Sequence, residues 1–188
     1  MKGGVRIAAI TTGPIGRGGG RKSGGKVLLV CVVGTLNGIE GVLSTSVTID
    51  GDDATGKIIR MIKGSRFSDQ VKVVALNGVA MAGLNVVDTG KLGAASKSEV
   101  LVITRHRPRP ALLMRALRAM ERDIGMPVKE RVELLKKQEK STMVDGFYVQ
   151  SRMGVAEVKR ILGKSVDLMR LSHLLSSGIS RGESNGRI

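Results

Sequence analysis

With 188 residues, 31 lysines and arginines against 16 aspartates and glutamates, the chain is expected to form one domain over 1–188 and carries a formal charge of +15 at pH 7. Its 41% hydrophobic and 25% charged residues match an ordinary globular composition, which excludes general disorder. No apolar run approaches the roughly 18 residues of a membrane span, and the first residues lack a secretory pattern, so a cytoplasmic protein with no membrane partner is expected.

The single cysteine, Cys31, cannot close an internal disulfide, and no second thiol stands near the two histidines, which removes redox and zinc readings. Charge of this size leaves nucleic acid, an anionic surface or an acidic protein as partners. The aromatics are Phe67, Phe147 and Tyr148, too few for base-stacking platforms, so recognition must run through phosphates.

In chain order, residues 5–10 form a short β-branched run. The segment 13–25 follows, with GRGGGRKSGG at 16–25 holding six glycines and three cations, and reads as a loop. Residues 26–33 are apolar without alternation, as in a buried strand, and 41–49 alternate, as in a half-buried one. Helical spacing runs over 53–63, behind an acidic stretch at 50–53 suited to capping. Strands at 71–76 and 100–104 enclose a helical segment at 86–92, which implies a parallel crossover.

Pro110 suits a helix's first turn, and Leu112, Leu113, Ala116, Leu117 and Met120 make an apolar face ahead of Gly125. A further helix is expected over 128–140, a late edge strand over Phe147–Gln150, two short helices at 155–162 and 168–177, and a polar tail over 179–188. Adjacent strands, a helix, then alternating strands and helices predict an α/β class with an RNase H-like mixed sheet.

Several motifs carry chemistry. GDDATGK at 51–57 has the spacing of a phosphate-binding loop, but Ile58 replaces the hydroxyl that binds Mg²⁺ and two carboxylates face the phosphates, so a capped helix start is expected instead. The first 39 residues hold six cations and no acid, so Arg17, Arg21 and Lys22 suit a nucleic-acid backbone better than a plain solvated loop. RHRPR at 105–109 follows the carboxyl end of a parallel strand, where α/β proteins place ligands, and offers Arg105, Arg107 and Arg109. His173, on an apolar helix, reads as a packing residue, and His106 has no partner for a metal. The nine methionines fill core space where aromatics are scarce. In the first half, only Glu40, Asp50, Asp52, Asp53, Asp69 and Asp88 are acids near expected strand ends.

The motifs EGVLST (40–45), DGDDAT (50–55), SRFSDQ (65–70), LNGV (76–79), GLNVVD (83–88), RLSHL (170–174) and RGESNGR (181–187) resemble, in this order, the archaeal endonuclease dU family. The resemblance implies an RNase H-like fold related to endonuclease V and Mg²⁺-dependent cleavage of DNA beside a deaminated base such as deoxyuridine. It also implies paired aspartates at the end of the first strand, where this chain has Thr11 and Thr12, and Asp-Gly at the fourth, where it has Asn77-Gly78. Glu40 and Asp88 remain as carboxylates. Three functions follow. The favoured one is a nucleic-acid-binding protein with a degenerate metal site and no cofactor, placed in a ribonucleoprotein. The second is an active nuclease using Glu40, Asp88 and Mg²⁺, and the third is a basic subunit docking on an acidic protein.

Overall fold

A computed structural model describes residues 4–15 and 23–184. The first strand, β1 (Ile7–Thr12), is apolar up to its two closing threonines and almost wholly buried, because both of its faces are covered. Ala8 and Ile10 face one hydrophobic layer, Ile7 and Ala9 the other, as the two-residue period of a strand requires. Around it lie β2 (Lys26–Thr35), β3 (Gly38–Thr48), β4 (Val73–Asn77), β7 (Glu99–Thr104), β8 (Thr142–Val144) and β9 (Phe147–Gln150), in a seven-stranded sheet of order β3-β2-β1-β4-β7-β9-β8. β1 pairs parallel with β4 (Ile10↔Leu76) and β4 parallel with β7 (Asn77↔Ile103), whereas β2 runs antiparallel to β1. This is the expected RNase H-like order, built from a leading meander and parallel crossovers.

One face carries α1 (Ala54–Lys63), α2 (Thr89–Ser96), α3 (Pro110–Ile124) and α4 (Lys129–Lys136), with a hairpin of β5 (Ala80–Met81) and β6 (Asn85–Val86). The other carries α5 (Val155–Arg181), packed across β1 and β2.

Several expectations are corrected. The two short helices at 155–162 and 168–177 are one helix of 27 residues. Gly163 weakens helix propensity there but has open space around it, while Ser165 is buried and returns its hydroxyl to the Ile161 carbonyl, so packing on the sheet carries the helix through. The helix also continues to Arg181, so the tail begins at Gly182 (φ +80°) rather than at 179. The segment Phe147–Gln150 is not at the edge, because β8 pairs outside it. The helix read at 86–92 starts at Thr89, since residues 85 and 86 belong to the hairpin and the Asp88 carboxylate caps Lys91 N–H. On α3, Leu112 and Ala116 point outward, and Leu113, Met114, Leu117 and Met120 form the buried face. The helix read at 128–140 stops at Lys136.

Candidate nucleic-acid interface at the carboxyl edge of the sheet

The parallel strands bring three strand ends together. One residue beyond the Ile10↔Leu76 pair, Thr11 stands beside Asn77, which pairs with Ile103 of β7. Thr11 faces α5, and its Oγ1 lies 2.8 Å from Ser172 Oγ, which lies 2.8 Å from the Val30 carbonyl. A serine hydroxyl has one proton, and Ser172 donates it to Val30, so Thr11 is the donor to Ser172. The result is a buried chain from β1 through α5 to β2. Thr12 is half-buried and Asn77 exposed. Gly13 packs closely against the end of α5, where a Cβ would lie 2.9 Å from Ser180 Oγ and 3.2 Å from the Ser176 carbonyl.

The two carboxylates singled out by sequence are each engaged by other partners. The register Ile7↔Gly34 and Gly34↔Ile39 puts Glu40 at the amino end of β1, opposite the Thr11 end. There it pairs with the Arg6 guanidinium, whose hydrogen bond holds the Glu40 carboxyl below its ordinary range and the guanidinium above its own. Asp88 is engaged in capping α2, its Oδ1 accepting from Lys91 N–H at 2.8 Å, while its own N–H donates to Thr55 Oγ1 at 2.9 Å. Among the described residues no group of three or more His, Cys, Asp or Glu side chains could hold a metal ion. The residues at the strand ends are two hydroxyls and an amide, all neutral, and one hydroxyl is already committed to Ser172. They do not fit a Mg²⁺ centre, which rests on carboxylates.

Of the remaining acids of the first half, Asp50 and Asp53 are structural. Asp53 accepts from Thr48 N–H (3.0 Å), Thr48 Oγ1 (2.9 Å) and Asn85 Nδ2 (2.8 Å), tying β3 to the hairpin instead of capping α1. Burial opposes its charge, but these hydrogen bonds outweigh burial and hold its carboxyl below the ordinary range. The Asp50 and Gly51 carbonyls accept from the buried Arg131 guanidinium at 2.7 and 3.3 Å, as do Leu84 and Pro127 at 3.4 and 3.0 Å. Desolvation lowers the Arg131 pKa, yet the guanidinium keeps its charge. GDDATGK is therefore an anchor for α4, not a phosphate loop. His173 is half-buried, its Nε2 3.5 Å from Ser177 Oγ, in keeping with packing.

Cations surround the same edge. Arg105, Arg107 and Arg109 are exposed on the loop between β7 and α3, whose first turn is fixed by Thr104 Oγ1 donating to the His106 carbonyl at 2.9 Å. The segment 13–25 leaves and re-enters here: Gly13 N–H donates to the Leu28 carbonyl and Gly24 N–H to the Ile49 carbonyl, at 2.7 and 3.0 Å. Arg17, Arg21 and Lys22 lie outside the described residues. Sequence reasoning missed Ser172, whose partners are 161 and 142 residues away, and the exposed Arg115, Arg118 and Arg122 of α3, which their i, i+3, i+7 spacing could have revealed.

An RNase H-like sheet with this edge defines a nuclease-like scaffold. The profile of the endonuclease dU family matches residues 3–179. A UPF0215 protein of Methanothermobacter thermautotrophicus is 33% identical over 172 residues, covering 84% of this chain and 82% of the relative. A crystal structure of a protein of unknown function from Archaeoglobus fulgidus superposes with a TM-score of 0.77 at 26% identity, covering 93% of this chain and 98% of that one. Human endonuclease V is more distant, with a TM-score of 0.46 and 12% identity over 85% of this chain and 75% of that one. The chain belongs to the endonuclease dU family. Among the described residues no helix is long and apolar enough to cross a membrane.

Proposed function

We propose that this protein binds nucleic acid through its phosphate backbone, on an endonuclease dU scaffold whose cleavage centre has lost its carboxylates, and that it works without a resident metal inside a ribonucleoprotein. The observation that carries this reading is the Thr11–Ser172–Val30 hydroxyl chain, which fills the strand end with satisfied neutral groups. The adjacent loop supplies Arg105, Arg107 and Arg109, and the sequence adds Arg17, Arg21 and Lys22 within residues 13–25. With three aromatic residues in the chain, phosphate neutralisation is the main source of affinity, so binding is steep in salt and weak in sequence preference.

Binding and cleavage are measured on the same DNA and RNA oligonucleotides containing uracil or inosine. Contact with about five duplex phosphates gives a slope near −4.5 for log affinity against log salt. No cleavage is expected with Mg²⁺ or Mn²⁺. Cleavage by the unmodified protein, with a metal dependence abolished by Glu40→Gln or Asp88→Asn, would replace this reading with an active nuclease. RNA that co-purifies at moderate salt supports the ribonucleoprotein setting, and its absence counts against that setting alone.

A further inference from the structure

We infer that the exposed arginine face of α3 is a phosphate track that extends the basic loop at 105–109, so that one strand of a nucleic-acid duplex runs along the helix from its amino to its carboxyl end. Resting on the nucleic-acid reading above, the track adds a path and a set of residues to it.

The buried face of α3 is formed by Leu113, Met114, Leu117 and Met120. At about 100° per residue, Arg115, Arg118 and Arg122 fall within an arc of roughly 60° on the outward side, with Ala111 in the same stripe. The two acids of the helix do not neutralise this stripe. Glu121 Oε1 accepts from Val128 N–H at 3.4 Å, and Asp123 projects about 100° away from Arg122 around the axis. Among the described residues none of the three arginines forms an ion pair. Ala111 and Met114 floor a shallow depression walled by the three guanidinium-bearing side chains, open to an incoming anion.

Two features make this more than a solvated helix face. Arg118 and Arg122 are i, i+4 neighbours and Arg115 and Arg118 are i, i+3, and like charges at those spacings destabilise a helix. In the free protein the stripe is an electrostatic burden, and a line of phosphates relieves it. The second feature is continuity. α3 begins directly after the loop that carries Arg105, Arg107 and Arg109. Just past its carboxyl end Met126 Sδ lies 3.9 Å from Ser23 Oγ, on the segment that follows Arg21 and Lys22. The helix therefore carries the basic surface of residues 105–109 as far as residue 23. From Arg115 to Arg122 is about 10 Å of helix, which the reach of the arginine side chains at either end extends to two or three successive phosphates of one strand. Phosphate, a repeating anion, is the partner that a repeating cation face without an aromatic platform recognises.

The test is a salt titration of the full chain on a duplex oligonucleotide, with the variant Arg115→Gln/Arg118→Gln/Arg122→Gln. Three lost phosphate contacts lower the slope of log affinity against log salt by up to about 2.7, and affinity at 0.1 M salt falls at least tenfold. The control Lys63→Gln/Lys159→Gln/Arg160→Gln removes the same charge from exposed positions at the opposite edge and is expected to change the slope by less than about 0.5. If the triple variant folds poorly, Arg118→Gln alone is expected to lower the slope by about 0.9. An equal loss in the control overturns the track, leaving only a general charge effect. An unchanged slope in the α3 variant, with a lowered slope in Arg105→Gln/Arg107→Gln/Arg109→Gln, overturns the track and leaves the function standing. Absence of salt-dependent binding by the unmodified protein overturns both, and points to an acidic protein as the occupant of this face.

Discussion

Rebuilding the carboxylates is the most direct probe of the strand ends, and the structure sets its energetic scale. In Thr11→Asp/Thr12→Asp/Asn77→Asp, the first substitution puts a carboxylate where only 3% of the side chain's surface is exposed and where the Thr11 hydroxyl had been a donor. An ionised carboxylate cannot donate, so Ser172 must give its proton either to the new group or to Val30, not both. Positions 11 and 77 are lateral neighbours on adjacent strands, about 5 Å apart, where two like charges repel by about 3 kcal/mol at an effective dielectric of 20. Desolvation of the buried charge adds several kcal/mol more. A deficit of about 5 kcal/mol lowers the melting temperature of a chain this long by about 10–20 °C. Because burial and repulsion raise the folded-state pKa of the introduced groups above about 3.9, the deficit is small below pH 4 and grows as pH rises through that value. Millimolar Mg²⁺, offsetting the new charges, should recover several degrees in the variant and none in the unmodified protein. The assay is thermal unfolding with and without Mg²⁺ across pH. A saturable rise of the unmodified protein's midpoint with Mg²⁺, or a variant as stable as its parent without metal, would refute the account of a neutral, satisfied strand end.

Other substitutions test the scaffold around that edge. Asp53 has a lowered folded-state pKa, so its contribution is present above about pH 3.9 and lost as pH falls through the lower folded value; Asp53→Asn should flatten acid unfolding in that window and be about 1–2 kcal/mol less stable at neutral pH, as read by urea titration. Arg131→Met leaves four backbone carbonyls without their donor and should cost about 3–5 kcal/mol in urea unfolding, with Arg131→Lys recovering only part because one ammonium cannot reach them all. Burial pushes the Cys31 thiol up to about 12, so alkylation at pH 8 should proceed only at the rate of unfolding, and fast labelling of the native protein would contradict the buried position.

The sequence made the sheet legible because β1, β2, β4 and β7 are apolar runs bounded by glycine or charge, and their order alone pointed to the RNase H-like class. The smallest elements were not legible. β5, β6 and β8, of two or three residues, are too short to show a period and are defined by their partners. α5 was split in two by Gly163 and Ser165 because local propensity is weak there, while the packing of its buried face is a tertiary quantity. At the site, the neutral residues at positions 11, 12 and 77 could be read directly. That Glu40 lies at the far end of β1 could not, because it depends on the register of a long hairpin with an irregularity at Val33/Gly34. Nor could the role of Ser172, or of Arg131, whose acceptors at Asp50 and Gly51 lie 81 and 80 residues away.

Neutral residues at positions 11, 12 and 77 are compatible with the fold because neither hydrophobic layer includes the strand-end positions: one layer is filled by residues such as Ile10, Ile58 and Leu117, the other by Ile7, Ile161 and Leu168. The Thr11–Ser172–Val30 chain goes further and ties α5 to both β1 and β2 where paired acids would repel. The same exchange alters what the edge attracts. A carboxylate about 5 Å from a phosphate opposes its approach by about 3 kcal/mol at an effective dielectric of 20 unless a cation bridges the two. With hydroxyls and an amide there, that opposition is gone, and the arginines at 105, 107 and 109 act on phosphate without an anionic neighbour at the strand ends. On the proposed function, this edge would hold nucleic acid with no metal and leave the backbone whole, and the binding and cleavage assays on the same oligonucleotides test both halves of that statement.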